Sequence, residues 1–131
     1  MSRVYLDTDI LLALLKPRDF HKDFALSVVS SRGRNRCISA ISLVELAIVA
    51  KRDLGEKDSL GLQARLGQLI PNLRVIPLSQ THVHRSDELR VRYGLGIFDS
   101  IHAAICLCEG LEMASTDEAF LRVQGLRMLK P

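Results

Sequence analysis

Short apolar segments of strand type alternate along this chain with longer segments of helical spacing, and this alternation restricts the possible folds more than any other feature. Strands are predicted at residues 4–6, 37–38, 73–78, 111–114 and 126–129. Helices are predicted at residues 10–15, 19–31, 39–52, 59–69, 79–93 and 98–109, with a short one at 117–123. Strands separated by helices pair in parallel, with helices on both faces of the sheet. The sequence therefore predicts an α/β fold around a mostly parallel central sheet.

Length and composition are those of one ordinary domain. The chain has 131 residues, 47% of them hydrophobic and 25% charged, which suits a single domain over residues 1–131. The net charge of +3 is too small to indicate a nucleic-acid partner by itself. The cysteines Cys37, Cys106 and Cys108 are odd in number and form no CxxC pair. We therefore expect buried free thiols and a reducing, cytoplasmic location.

Neither long apolar run fits a secretory or membrane role. Asp7 and Asp9 interrupt the N-terminal run where a signal peptide would be uniformly apolar. The run at residues 37–50 contains Glu45 and is shorter than the roughly 20 apolar residues that span a bilayer. The sequence predicts no membrane partner.

Glu45 is the only ionisable residue between residues 41 and 50, in a helix that is apolar on nearly every side. Such a helix is expected to be largely buried, and Glu45 shares its predicted core-facing stripe with Ile41, Ile48 and Val49. A buried, unpaired carboxylate is costly. It needs a proton, an Arg or Lys side chain, or a metal ion. A structural salt bridge or a backbone partner is the alternative.

Three further acids, Asp7, Asp99 and Asp117, stand where helices begin, so each could simply be a helix N-cap. However, Asp7 and Asp117 also follow predicted strands, and the carboxyl ends of parallel strands meet at one edge of a sheet. Clustered carboxylates raise each other's pKa values unless a cation relieves the repulsion. Carboxylate oxygens suit Mg²⁺ or Mn²⁺. This combination is typical of hydrolysis at phosphorus.

The motifs that carry these acids resemble those of a known family when taken in order. They are Val4-Tyr-Leu-Asp7-Thr8-Asp9-Ile10, Ser39-Ala-Ile-Ser-Leu-Val-Glu45-Leu46, Gly96-Ile-Phe-Asp99-Ser-Ile-His-Ala-Ala104 and Ser115-Thr-Asp117-Glu-Ala-Phe120. Together they resemble the PIN-domain family and, more narrowly, the VapC-type toxins of prokaryotic toxin–antitoxin pairs. The resemblance extends from Tyr5 to Leu129.

The resemblance implies a three-layer α/β/α sandwich with a five-stranded parallel sheet. It also implies a Mg²⁺- or Mn²⁺-dependent endoribonuclease in which Asp7, Glu45, Asp99 and Asp117 carry the acidic roles. Asp7 and Asp99 would bind the metal directly. Glu45 and Asp117 would bind it directly or through water, or would orient the attacking water.

Two further features of the site follow from the resemblance. Thr8 and Ser115 match positions where the family keeps small hydroxyl residues near the site. Position 9 is often Asn or Ser in the family and is Asp here, so Asp9 is a candidate additional ligand. The exact ligand set stays open.

The resemblance also implies partners: an RNA substrate, a second copy of the chain in a homodimer, and a small antitoxin. The antitoxin would lay a segment over the acidic groove, and the apolar helices between residues 41 and 70 are the candidate surface for it.

Arginines supply a candidate RNA-binding rim, since phosphates bind basic side chains. A solvated surface with no ligand is the alternative. His102 lies one helical turn after Asp99; a general acid or base is conceivable there, but contact with neighbouring residues is the expected role. The candidate arginines are Arg32, Arg34 and Arg36 in a predicted loop, and Arg85, Arg90 and Arg92 on the predicted helix at 79–93.

Two other functions fit parts of the pattern. A non-catalytic PIN-like scaffold could bind RNA or protein, although such domains usually lose acids that this chain keeps. The segment Asp7-Thr8-Asp9 also fits a DxD phosphatase of the haloacid dehalogenase type. That family needs a downstream Lys, and this chain has none between Lys57 and Lys130.

Overall fold

The computed structural model describes residues 2–31, 34–54 and 59–129. Its strands are β1 (Ser2–Leu6), β2 (Arg34–Ser39), β3 (Arg74–Ile76), β4 (Glu112–Ala114) and β5 (Met128–Leu129). Its helices are α1 (Thr8–Leu15), α2 (Lys22–Ser30), α3 (Ala40–Leu54), α4 (Ser59–Leu69), α5 (Gln80–Tyr93) and α6 (Ile97–Glu109), with a 3₁₀ helix at Glu118–Arg122.

The strands form one parallel sheet in the order β3-β2-β1-β4-β5. The predicted five-stranded parallel sheet is therefore confirmed. Its central strand β1 pairs with β2 on one side and with β4 on the other. Asp7 directly follows β1, and its backbone N–H donates to the carbonyl of Ala114 at 3.0 Å. The ends of β1 and β4 are thereby joined at the carboxyl edge of the sheet.

The alternation of side chains along β1 divides the core into two layers. Val4 and Leu6 face one side, where they pack with buried residues of α1 to α4. Tyr5 faces the other side, with buried residues of α5, α6 and the 3₁₀ helix. Since successive strand residues point to opposite faces, both faces of the sheet are covered. The result is the predicted α/β/α sandwich.

Helix α3 corrects the prediction of an all-round buried helix. Its buried positions are Ser42, Leu46 and Ala50, whereas Val44 and Ile48 are 49% and 50% exposed. Residues three or four apart share a helix face, so the core-facing stripe runs through Ser42 and Leu46 and not through Ile48. Glu45 consequently lies at the margin of the buried face.

Two smaller expectations are also wrong. Residues 34–36 belong to β2 and not to a loop, because Arg34 and Arg36 pair along the backbone with Ser2 and Val4 of β1. Arg32 lies outside the described residues. Cys37 and Cys106 are buried free thiols as expected, but Cys108 is exposed.

Among the described residues, no single helix has the length and apolarity of a membrane span. Helices α5 and α6 meet that standard only when joined as a pair bent by 117°.

Candidate active site

Asp7 lies at the centre of the carboxyl edge of the sheet, and its side chain is held from two sides. The Thr8 backbone N–H donates to Oδ1 at 2.8 Å, and the Ser115 hydroxyl donates to Oδ2 at 2.7 Å. The first bond makes Asp7 the N-cap of α1, as its position in the sequence allowed. Asp7 is only 5% exposed. It is thus both a helix cap and a buried acid at the strand end.

The pKa of Asp7 is raised from its ordinary value of 3.8 to about 7. Burial is the largest cause and the nearby Asp9 carboxylate the second; His102, the Ser115 hydroxyl and the Thr8 N–H oppose them. Burial disfavours the charged form because the protein interior solvates it poorly. The hydrogen bonds around Asp7 therefore compensate its negative charge only in part.

Asp9 lies close to Asp7, and one of the two carboxylate oxygens of Asp9 has no hydrogen-bond partner among the described residues. Its Oδ2 accepts hydrogen bonds from the Thr116 backbone N–H, at 2.9 Å, and from the Thr116 hydroxyl. Its Oδ1 is buried and has no hydrogen-bond partner among the described residues. A buried acceptor without a partner is costly. This oxygen therefore has acceptor capacity left for a donor or a cation; metal binding by Asp9 stays a prediction.

Glu45 is held at a single oxygen by two donors. Its Oε1 accepts from the Thr8 hydroxyl and lies 2.8 Å from Nε2 of His102. Burial raises the pKa of Glu45, but the hydrogen bonds to His102 and Thr8 outweigh it, and the pKa lies below its ordinary value. The partner that the sequence required for this carboxylate is therefore a histidine and a threonine hydroxyl.

His102 is fully buried in α6 and bridges two elements of the site. Its Nδ1 lies 2.6 Å from the hydroxyl of Tyr5, which also contacts the hydroxyls of Ser39 at 2.8 Å and Ser42 at 3.1 Å. Sequence reasoning left His102 as an ordinary helix contact. The signal that could have found it is Tyr5 itself: a tyrosine in a core strand needs a buried partner for its hydroxyl.

Asp99 lies in the first turn of α6, at the same edge. It is not the N-cap, since that position belongs to Gly96. The pKa of Asp99 is raised, first by burial and then by the carboxylates of Asp117 and Glu45. These acids are therefore close enough to interact, as the sequence predicted.

Asp117 completes the group from the loop that follows β4. It is exposed and caps the 3₁₀ helix by accepting from the Ala119 N–H at 2.9 Å. Its own N–H donates to the Ser115 hydroxyl at 3.1 Å, and that hydroxyl donates in turn to Asp7. Ser115 thus links the two strand-end acids.

The acids supply the carboxylate oxygens that a hard divalent cation binds, but in this structure their side chains do not surround one point. Among the described residues, no three His, Cys, Asp or Glu side chains already form a group that could hold a metal ion. Burial and neighbouring carboxylates raise the pKa values of Asp7 and Asp99, and one buried oxygen of Asp9 has no hydrogen-bond partner among the described residues. A bound cation would offset the repulsion between these carboxylates. The donor set fits Mg²⁺ or Mn²⁺, with side-chain adjustment on binding.

A family model described as the PIN domain matches residues 4–126. The chain belongs to the PIN domain family. No curated protein gives a significant match. Membership over nearly the whole chain excludes the haloacid dehalogenase-type alternative.

Solved structures with the same fold include VapC and VapBC proteins and other toxin–antitoxin complexes. VapC20 from Mycobacterium tuberculosis, described as a sarcin–ricin loop cleaving toxin, has a TM-score of 0.79 and 19% identity, covering 98% of this chain and 99% of that chain. VapBC2 from Rickettsia felis, bound to a promoter DNA fragment, has a TM-score of 0.76 and 17% identity, covering 98% of both chains. A toxin–antitoxin complex from Klebsiella pneumoniae has a TM-score of 0.70 and 25% identity, covering 94% of both chains.

The candidate arginines of this PIN domain are mostly engaged or distant from the acids. Arg85 pairs with Glu88 at 2.5 Å, and Arg90 pairs with Asp87. Arg92 donates to Gln124 at 3.1 Å. These contacts fit the alternative of a solvated, internally paired surface, and RNA contact by these side chains stays a prediction.

The arginines of β2 lie towards the opposite end of the sheet. Arg34 pairs with Ser2 at the amino edge, whereas the acids follow the carboxyl edge. Arg36 is nearer the middle of the strand and donates to the carbonyl of Ser31. A strand rises about 3.3 Å per residue, so Arg34 is separated from the acids by most of the length of the strand.

Two concave surfaces bear on the function, and one of them adjoins the site. This cavity of about 390 Å³ is lined by Ser115 and Asp117 of the site and by Phe20, which is 95% exposed. A second cavity of about 190 Å³ is mainly apolar and lies between α1, α3 and α4. The residues lining this apolar groove include Leu12, Leu15, Leu46, Val49, Ala50 and Leu62.

Proposed function

We propose that this PIN domain is a divalent-metal-dependent endoribonuclease that hydrolyses RNA phosphodiester bonds, and that it is the toxin of a VapBC-type pair. The observation that carries the proposal is a set of acids at one edge of the sheet whose charges interact, together with a pKa of about 7 for the buried Asp7. This acid cluster consists of Asp7, Asp9, Glu45, Asp99 and Asp117. A cluster with so much uncompensated negative charge is suited to a cation.

Asp7 and Asp99 would hold Mg²⁺ or Mn²⁺, with the free oxygen of Asp9 as a further ligand and Glu45 and Asp117 binding directly or through water. When bound, such an ion polarises the phosphate and lowers the pKa of water.

The protein's own residues orient this site. Ser115 and the Thr8 N–H fix both oxygens of Asp7. Glu45, with its lowered pKa, is ionised at neutral pH and can accept a hydrogen bond from the attacking water. These hydrogen bonds support the role of supporting residues that the resemblance implies for Thr8 and Ser115. The RNA strand would enter past Asp117 and the exposed ring of Phe20, because that cavity opens beside the acids.

The test is cleavage of total RNA by the purified protein with Mg²⁺, with Mn²⁺, and with a chelator. We expect cleavage with either ion and its loss on chelation, because the bound ion would neutralise the charge that develops at phosphorus. Restoration by added metal controls for damage to the protein. Cleavage that continues at full rate in excess chelator would contradict the metal site. Tight RNA binding without cleavage in any metal would favour the non-catalytic scaffold.

The partner we propose is a small antitoxin whose apolar segment occupies the groove between α1, α3 and α4. This groove includes part of the surface expected between residues 41 and 70, but it also involves α1, and none of the acids of the candidate site lines it. Charged side chains, Lys16, Asp53 and Arg65, border the groove and could orient a mixed-charge segment. We also propose a homodimer, for which the exposed Val44 and Ile48 of α3 supply apolar surface, and a cytoplasmic location.

Replacing the half-buried Val49 by Lys is expected to reduce antitoxin binding by at least about tenfold, because it places a charge in the apolar groove. The measurement is co-purification, from the native host, of the small protein encoded beside this gene. Val91→Lys is the matched control, since Val91 is exposed on α5. Equal capture by both variants would place the partner elsewhere. A gene without a small neighbour would weaken the toxin assignment but not the nuclease.

A further inference from the structure

The two carboxylate oxygens of Glu45 differ in their hydrogen bonds. Both donors, His102 and Thr8, meet at Oε1. No hydrogen bond from the described residues reaches Oε2, and the Glu45 side chain is 19% exposed. We propose that His102, held in place by Tyr5, is a positioning residue that fixes Glu45 so that Oε2 alone faces the metal and water of the acid cluster. This inference rests on the nuclease function proposed above.

The contacts of His102 define which ring nitrogen carries a proton. Nε2 faces a carboxylate oxygen at 2.8 Å, so it must be the donor in that bond. In the neutral ring, Nδ1 is then an acceptor, and the Tyr5 hydroxyl at 2.6 Å is its donor. Burial raises the pKa of Tyr5, so this hydroxyl keeps its proton. The direction of donation is therefore Tyr5 to His102 to Glu45.

The hydroxyls of Ser39 and Ser42 both contact the Tyr5 hydroxyl oxygen. The Ser42 hydroxyl oxygen accepts from the Ser39 N–H at 3.1 Å and lies 3.1 Å from the Tyr5 oxygen. The Ser39 hydroxyl lies 2.8 Å from the Tyr5 oxygen and 3.3 Å from that of Ser42. Because the Tyr5 proton goes to His102, the Tyr5 oxygen is left to accept from these serine hydroxyls. Residues of β1, β2 and α3 thus surround the hydroxyl that orients His102.

The residues that form this hydrogen-bond network lie in the core and cannot touch a substrate. Tyr5, Ser39, Ser42 and His102 are all fully buried. A side chain with no accessible surface acts on RNA only through another residue, which here is Glu45. Polar partners that orient a metal ligand typically change metal affinity or activity by about 10- to 100-fold when removed.

Two amide substitutions of His102 separate this role from simple packing. The side-chain amide of Gln reaches about as far as Nε2 and can still donate to Glu45, whereas that of Asn ends near the position of Nδ1 and keeps only the Tyr5 contact. We expect His102→Gln to retain kcat within about threefold. His102→Asn should lower kcat at least about tenfold with an unchanged KM for RNA. Mn²⁺ affinity, measured by water-proton relaxation, should weaken in the Asn variant only.

Thermal unfolding of both variants shows whether packing explains the result. Equal losses of kcat and Mn²⁺ affinity in the two variants, or no loss in either, would overturn the positioning role. If neither variant folds, Tyr5→Phe takes their place, because it deletes only the hydroxyl that orients Nδ1. Wild-type kcat and Mn²⁺ affinity in that variant would then refute the proposal.

A spectroscopic reading does not depend on RNA cleavage. The ¹⁵N signals of His102 in the metal-free protein should show a protonated Nε2, and a neutral ring protonated at Nδ1 would overturn the assignment. If the wild type binds Mn²⁺ but cuts no RNA, the nuclease proposal fails, while the positioning role is decided by Mn²⁺ affinity and the ¹⁵N spectrum.

Discussion

Replacing Asp7 or Asp99 by Asn is expected to lower metal-dependent RNA cleavage by at least about a hundredfold with the fold intact. The Asn side chain has the same shape but lacks the negative charge that binds the cation. In Asp7→Asn the amide oxygen can still accept the hydrogen bond from the Thr8 N–H, so the cap of α1 is preserved. The measurement is the cleavage rate of a defined RNA in Mg²⁺ and in Mn²⁺, with circular dichroism to establish folding.

Asp23→Asn is the matched control for these variants. Asp23 is an exposed acid in the first turn of α2, where its loss changes the net charge equally but leaves the acid cluster untouched. It should cleave at the wild-type rate. If Asp7→Asn and Asp99→Asn cut as fast as the parent, the assignment of this cluster as the active site is wrong.

The metal-free protein is expected to become less stable as the pH rises from about 4 to about 7, and Asp7→Asn should remove much of this loss. The pKa of Asp7 is 3.8 in an ordinary setting and about 7 when folded. Between these values the folded state binds more protons than the unfolded state, so the free energy of unfolding falls with rising pH. The contribution is fully present below pH 4 and is lost above about pH 7. Its size should be on the order of a few kcal/mol.

The measurement is urea unfolding at several pH values in excess chelator, comparing the wild type with Asp7→Asn. The comparison is necessary because Asp99, with its raised pKa, contributes in the same direction, whereas Glu45, with its lowered pKa, contributes stability that is lost at low pH. Asp23→Asn should keep the wild-type slope. Adding Mg²⁺ above pH 7 should restore stability to the wild type and not to Asp7→Asn. Parallel curves for the wild type and Asp7→Asn would show that Asp7 carries no buried charge.

The acids that follow β1 and β4 show what the local sequence can predict and what it leaves undecided. Asp7 and Asp117 each had two interpretations, a helix cap or a member of an acidic site. The structure shows that both are caps and that the charge of each interacts with a neighbouring acid. Capping uses one carboxylate oxygen and leaves the other for a neighbour. The two interpretations were therefore never exclusive. Asp99 differs, because Gly96 takes the cap position and Asp99 stands inside the first turn.

The prediction that Glu45 needs a partner is confirmed, but the all-round burial of its helix, from which that prediction was argued, is wrong. An isolated carboxylate in an apolar helix does require a partner, and it has two. However, the helix is not buried on all sides, and the partners that the chain itself supplies are a histidine and a threonine hydroxyl rather than an Arg or Lys side chain. His102 is 57 residues away in the sequence. Only the packing of α6 against the sheet brings it to Glu45.

The sequence by itself determined the class of the fold and the edge of the sheet at which the acids gather. Both follow from local rules: strand and helix periodicities, and the fact that parallel strands end on the same side. The tertiary structure alone decided which face of α3 is buried, that Arg34 lies far from the acids, and that Tyr5 and His102 hold one oxygen of Glu45. These depend on contacts between residues distant in sequence. Such contacts are set by the packing of whole elements, which no local pattern encodes.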